Sequence, residues 1–138
     1  MRLAQVGGAV TLSELLRACE AQVEVRPREQ TATLRAVATQ LHWFAGVQIR
    51  NVATLAGNAC TASPISDLNP LWVAAGATFR VASAGGARDI AASDFFVGYR
   101  CLRGLRVGSE GWVEGWGAIQ GIQGGVKGRR LWCRVGWL

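Results

Sequence analysis

A mixed α and β domain over residues 1–102, followed by an irregular tail over 103–138, is the fold the sequence predicts. Three observations predict it. Apolar residues recur at helical spacing in two separate stretches before residue 45. An alternating segment after residue 77 meets a glycine turn and a second short run, the pattern of a hairpin. From Arg103 onward neither period survives, and ten of the eighteen glycines and four of the six tryptophans crowd into the last 36 residues.

The elements follow in order. Leu3 to Val10 is apolar and rich in small residues, as a strand is. Thr11-Leu12-Ser13-Glu14 matches a capping box, so a helix is expected over 12–22, with Leu12, Leu15, Leu16 and Cys19 on one stripe. Val23 to Arg28 reads as a polar connector, because Pro27 disfavours helix in the residue before it. A second helix is expected from Glu29 to Phe44, with Leu34, Val37, Ala38, Leu41 and Phe44 along its apolar side. Gly46 is expected to end it by accepting a positive φ. Residues 47–70 then alternate short apolar pairs with Asn51, Gly57, Asn58, Thr61, Ser63, Pro64, Ser66, Asp67 and Asn69, too polar for a plain core element. Leu71 to Ala75 reads as a helical turn. Thr78–Ala82 and Arg88–Ile90 read as paired strands around Ala84-Gly85-Gly86, and Ser93–Phe96 as a connector carrying two apolar anchors.

Charge narrows the function classes. The net charge is +6, but residues 1–102 carry nine basic against seven acidic groups, and residues 103–138 six against two. Six basic residues without a fold or repeat make a poor nucleic-acid surface, so no nucleic acid is expected as a partner. No run of 18 apolar residues exists, so no membrane partner is expected, and the N-terminus lacks the features of an export signal. The expected compartment is the cytosol. Cys19, Cys60, Cys101 and Cys133 lie 41, 41 and 32 residues apart, with a single histidine, His42, and no C-x-x-C pair. They read as reduced, mostly buried thiols, and no metal site is expected.

Chemistry concentrates at Thr54-Leu55-Ala56-Gly57-Asn58 and Thr61-Ala62-Ser63-Pro64-Ile65-Ser66-Asp67. A small-residue turn lets backbone N–H groups approach a phosphate, and Gly57 lacks the side chain that would block it. Thr54, Asn58 and Thr61 add hydroxyl and amide donors. Asp67 is an acceptor suited to a sugar or ribityl hydroxyl, and Phe44 can lie against a flat ring. A Gly-Asn turn is also a common purely structural feature.

Several strings add a resemblance. They are Gln40-Leu41-His42-Trp43-Phe44-Ala45-Gly46, Gln48-Ile49-Arg50-Asn51-Val52-Ala53, Gly57-Asn58, Ala62-Ser63-Pro64-Ile65-Ser66-Asp67-Leu68-Asn69-Pro70 and Phe95-Phe96-Val97-Gly98-Tyr99-Arg100. In this order and spacing they resemble the FAD-binding domain of xanthine dehydrogenases, members of the molybdenum hydroxylase family. The resemblance covers about residues 5–100. Aldehyde oxidases are similar here too, and Ser-Pro-Ile-Ser favours the xanthine branch.

The resemblance implies an α+β fold of the vanillyl-alcohol-oxidase or PCMH type, present in part, with FAD as cofactor. It implies an enzyme that passes electrons from molybdenum and iron–sulfur centres through FAD to NAD or oxygen, and a homodimeric parent. By it Phe44 would contact the flavin, Thr54, Leu55, Ala56, Gly57 and Asn58 would cradle FAD, and Asp67 would bind its polar chain. Tyr99 and Arg100 would face the nicotinamide side. No residue would do acid–base or nucleophilic work, since the cofactor carries the electron chemistry. The chain departs from the family at Ala56, Cys60 and Val97, which replace a glycine, an aliphatic residue and a proline. The family's first FAD loop is expected to lie upstream of Met1, and its strands after Arg100 to be absent. The tail's bias to Gly, Trp and Arg resembles out-of-frame or intron-like translation, so it is expected to be disordered. The chain alone is expected to hold FAD weakly or not at all and to lack turnover. The alternative is a non-catalytic truncated product that acts as an interaction fragment.

Overall fold

The computed structural model describes residues 4–83, 86–99, 101–102 and 130–135, with residues 4, 83, 101–102 and 130–135 described as backbone. Strand β1 (Ala4–Gly7) leads into helix α1 (Leu12–Val25). The capping box forms in full: the Glu14 amide donates to Thr11 Oγ1 at 3.2 Å, and the Thr11 amide donates to the Glu14 carboxylate at 2.8 Å. That backbone donation, helped by the Thr11 hydroxyl, holds the Glu14 carboxyl below its ordinary range. Leu12, Leu15 and Cys19 are buried, as the stripe requires.

The expected connector from Val23 is corrected, because α1 runs on to Val25. Its end is set by Pro27, which drives Arg26 into extended backbone (φ −115°, ψ 151°). The second helix is also displaced. A 3₁₀ turn occupies Arg28–Gln30, and α2 spans Ala32–Trp43 rather than starting at Glu29. Thr31 separates the two. Its hydroxyl is fully buried, donates to the Arg28 carbonyl at 3.1 Å and accepts from Arg35 Nε at 3.0 Å. Leu34, Val37 and Leu41 bury the apolar side of α2, which packs on α1.

Gly46 does not take the positive φ expected of it. Ala45 does, at 46°, while Gly46 (φ −81°) opens a short helix α3, Val47–Arg50. The polar-studded stretch that follows is largely helical, with α4 at Leu55–Thr61 and α5 at Asn69–Ala74. Pro70 sits in the first turn of α5, where a missing N–H costs nothing.

The hairpin forms as the alternation predicts. β2 (Thr78–Ser83) and β3 (Gly86–Ala91) pair antiparallel, with Phe79 opposite Ile90 and Arg80 opposite Asp89. Phe79, Val81 and Ile90 are buried, while Arg80 forks onto Asp89 through two bonds of 2.7 and 2.8 Å. The connector after it is a helical turn, α6 (Ala92–Phe95), leading to β4 (Phe96–Gly98), which pairs with β5 (Cys101–Leu102).

The tail is not irregular throughout. Arg130–Val135 forms strand β6, which lies between β1 and β2 in a four-stranded antiparallel sheet of order β1-β6-β2-β3. Residues 129–135 are the longest glycine-free run of the tail, so this is where a strand costs least conformational entropy. Its backbone also satisfies groups on both neighbours that would otherwise be unpaired. The expected disorder of the rest of the tail concerns residues outside those described. One core joins the α1 and α2 stripes to the buried face of the β2–β3 hairpin, with Trp72, Phe79, Phe95 and Leu68 among its largest members.

Candidate functional site

Segment 54–58 was expected to offer free backbone N–H groups to a phosphate, and each of the four amides after Thr54 is already used. The Leu55 amide donates to the Val10 carbonyl and the Ala56 amide to that of Gly8, both at 3.0 Å. The Gly57 amide donates to Thr54 Oγ1 at 3.1 Å, and the Asn58 amide to the Thr54 carbonyl at 3.0 Å. Thr54 is therefore the N-cap of α4, and the segment is a helix start rather than an open loop. Gly57 is there for the cap: a Cβ would lie 2.9 Å from Thr54 Oγ1. Leu55 and Ala56 are 0% and 2% exposed and belong to the core. Thr61 turns its hydroxyl back onto the Gly57 carbonyl at 2.9 Å.

The segment is held from the N-terminal side. Besides the two bonds to Gly8 and Val10, Thr11 and Thr54 form an isolated bridge, and the Leu12 amide donates to the Ala53 carbonyl at 2.9 Å. Asn58 is half-buried, with Oδ1 accepting a long 3.5 Å bond from Ser66 Oγ. That bond brings the Ser63-Pro64-Ile65-Ser66-Asp67 turn against α4. The Asn58 side-chain amide nitrogen has no partner among the described residues. Asp67 is exposed and makes no hydrogen bond or ion pair among them. Phe44 is half-buried, its ring packed in part against the core at the C-cap of α2. Arg100 lies outside the described residues.

A cavity of about 530 Å³ opens beside this turn. Its lining includes Ser63, Ser66, Asn69 and Val73 together with Phe96 and Tyr99. The sequence did not single out Asn69. It is 7% exposed, its backbone N–H donates to Ser66 Oγ at 3.3 Å, and its side-chain Oδ1 is buried without a partner among the described residues. A polar residue just before a helix-starting proline reads as a cap, so the sequence held no signal that its side chain borders a cavity. Cys60, in α4, is a buried thiol whose burial pushes its pKa up to about 12. It is protonated and unreactive at neutral pH.

The residues present fit a flavin cofactor in part. An aromatic face at Phe44, with the side-chain amide of Asn58 and the carboxylate of Asp67 that have no partner among the described residues, suits a ring system and its hydroxylated chain. The amides of 55–58 do not suit its phosphates.

Comparison with known proteins agrees. Residues 2–105 match the family described as the FAD binding domain in molybdopterin dehydrogenase. Xanthine dehydrogenase 1 of Arabidopsis thaliana is 57% identical over 97 residues, which are 70% of this chain and 7% of that protein. Xanthine dehydrogenase/oxidase of Gallus gallus is 46% identical over 95 residues, 68% of this chain and 7% of the relative. The chain thus spans about 7% of the length of these curated relatives. Among solved structures, a Cu,Mo-CO dehydrogenase in its cyanide-inactivated form superposes with a TM-score of 0.66 at 20% identity, covering 99% of this chain and 37% of that one. Quinoline 2-oxidoreductase from Pseudomonas putida 86 gives 0.65 at 19% identity, covering 96% and 36%. Identities this low speak for the fold.

Proposed function

Because the chain belongs to the family of FAD-binding domains of molybdopterin dehydrogenases, we propose that it is an FAD-binding segment of a xanthine dehydrogenase-like oxidoreductase. In that enzyme electrons pass from molybdenum and iron–sulfur centres through FAD to NAD or oxygen. The observation that carries the reading is the family match over residues 2–105, which contains Phe44, Asn58 and Asp67. FAD supplies reversible electron transfer when bound; the protein binds and orients it.

Each residue's work follows from its chemistry. Phe44 offers a flat apolar face, Asn58 a side-chain amide donor, and Asp67 an acceptor for a hydroxyl of the cofactor's polar chain. Thr54, Leu55, Ala56 and Gly57 act one step back. They form the cap and core face that fix α4, and hence the position of Asn58. In a dehydrogenase the electron acceptor NAD would enter on the side of Tyr99, where the cavity beside Asn69 has room for an aromatic amide. The compartment is the cytosol and the parent enzyme a homodimer on this reading.

With its phosphate contacts incomplete, the chain alone binds FAD weakly and does not turn over xanthine. Titration of the purified chain with FAD, followed by flavin fluorescence and then by gel filtration, tests both statements. Saturable quenching with loss of flavin on the column is expected. Absence of saturable binding would overturn the assignment, and stoichiometric flavin after the column would overturn the statement that its site is incomplete.

A further inference from the structure

Both short bonds of the Arg50 guanidinium go to backbone carbonyls. Its Nη1 donates to the carbonyls of Phe44 and Ala45, each at 2.7 Å. These are the C-cap of α2 and the residue after it, so a guanidinium sits at the negative end of the helix dipole. Ala45 holds φ at 46°, a left-handed conformation that costs an L-residue about 1–2 kcal/mol without compensation. A helix that turns this sharply at an alanine needs something to hold the corner.

The base from which Arg50 reaches is itself anchored. Asn51, the C-cap of α3, accepts a 2.6 Å bond at Oδ1 from Ser13 Oγ of α1. The Ala53 carbonyl takes the Leu12 amide, and Ala53 N donates to Ile49 at 2.8 Å. Arg50 therefore spans from a platform fixed to α1 back to the carbonyl of Phe44. Fixing that carbonyl and the left-handed residue after it fixes where the Cα–Cβ bond of Phe44 points, and so where its ring can lie.

We propose that Arg50 is a positioning residue for the flavin site: it clamps the Phe44–Ala45 corner so that the Phe44 ring is presented to the cofactor. This rests on the reading that Phe44 contacts flavin, and the test separates the two. Arg50→Met, Arg50→Lys, Phe44→Ala and the double variant Arg50→Met/Phe44→Ala are made in the full chain. Three quantities are measured: the Kd for FAD, the position of the bound flavin's visible absorption band, and the rate of chymotryptic cleavage after Phe44.

Charge-assisted bonds of this kind are worth about 1.5–3 kcal/mol, so Arg50→Met is expected to raise the Kd about 10-fold or more and shift the band. It should raise cleavage after Phe44 by a similar factor. Arg50→Lys, which keeps a charged nitrogen donor on a shorter side chain, recovers part of each. The double variant binds FAD no worse than Phe44→Ala, because Arg50 acts through that ring. Unchanged cleavage in Arg50→Met overturns the clamp. Faster cleavage in Arg50→Met, with Kd and band unchanged in both Arg50→Met and Phe44→Ala, leaves the clamp standing but sinks the Phe44 contact and, with it, the positioning role. Additive losses in the double variant show that Arg50 does not act through Phe44, which also refutes the proposal.

Discussion

Replacing Phe79 tests whether the hairpin and the wall of the cavity are one packed unit. Phe79 is fully buried on β2. Its ring centroid lies 4.4 Å from that of Phe95 at an interplanar angle of 32°, and 5.7 Å from that of Phe96 at 83°. Phe95 and Phe96 meet edge to face at 5.2 Å. Phe96 in turn lines the cavity, so the trio connects the sheet to that wall. Phe79→Ala removes a buried ring and leaves a cavity, at a cost of about 3–5 kcal/mol. For a chain of this size, at about 3–4 °C per kcal/mol, that is a fall in Tm of roughly 9–20 °C. Phe79→Leu keeps most of the volume and loses the two ring pairs, each worth about 0.5–1.5 kcal/mol beyond area. Thermal melts followed by circular dichroism, with a double-mutant cycle of Phe79→Leu and Phe95→Leu, measure both quantities. A coupling near zero, or a fall of less than about 5 °C for Phe79→Ala, would refute the packing argument.

Two further outcomes follow from burial and pairing. Burial pushes the thiols of Cys19 and Cys60 up to about 11 and about 12, from an ordinary value of 9.0. The unfolded chain therefore loses these protons first, and stability that is constant below pH 9 declines as pH rises towards 11–12. Urea melts at pH 7.5, 9 and 10.5 should show a midpoint that drops only above 9, and a flat profile would contradict the burial of both thiols. Strand β6 pairs four residues with β1 and five with β2, so a chain ending at Arg129 leaves β1 unpaired among the described elements. That chain is expected to lose its cooperative melt, and an unchanged Tm would show that the tail strand contributes nothing.

The legible parts of the fold were those where one local rule decides. Thr11 and Glu14 are three apart and close a capping box whatever surrounds them. The Leu34, Val37, Leu41 stripe buries one side of α2, and Phe79 against Ile90 follows from alternation about a glycine turn. The misread parts were those where a tertiary partner decides. Ala45 takes the left-handed corner that glycine would accept freely, and the carbonyls on either side of that peptide are held by Arg50, six positions beyond Phe44. Strand β6 lies in the one long glycine-free run of the tail, but its pairing with β1 and β2, distant in the chain, is not visible in that run.

The site shows the same division more sharply. Thr54, Gly57 and Asn58 are the residue types a phosphate loop needs, and composition cannot distinguish that loop from a helix cap made of the same residues. What distinguishes them is where the amide hydrogens go. Val10 and Gly8 take two of them from a segment more than forty residues away in the chain, and Thr54 takes the other two. An N–H that already has a good acceptor gains little from a phosphate unless that bond breaks, so under the proposed function the segment would serve the cofactor by rigidity and through the side chain of Asn58. On the same proposal the phosphate contacts would come from backbone other than 55–58. For that reason flavin retention, rather than the presence of the Gly-Asn pair, is the property that decides how much of the site this chain holds.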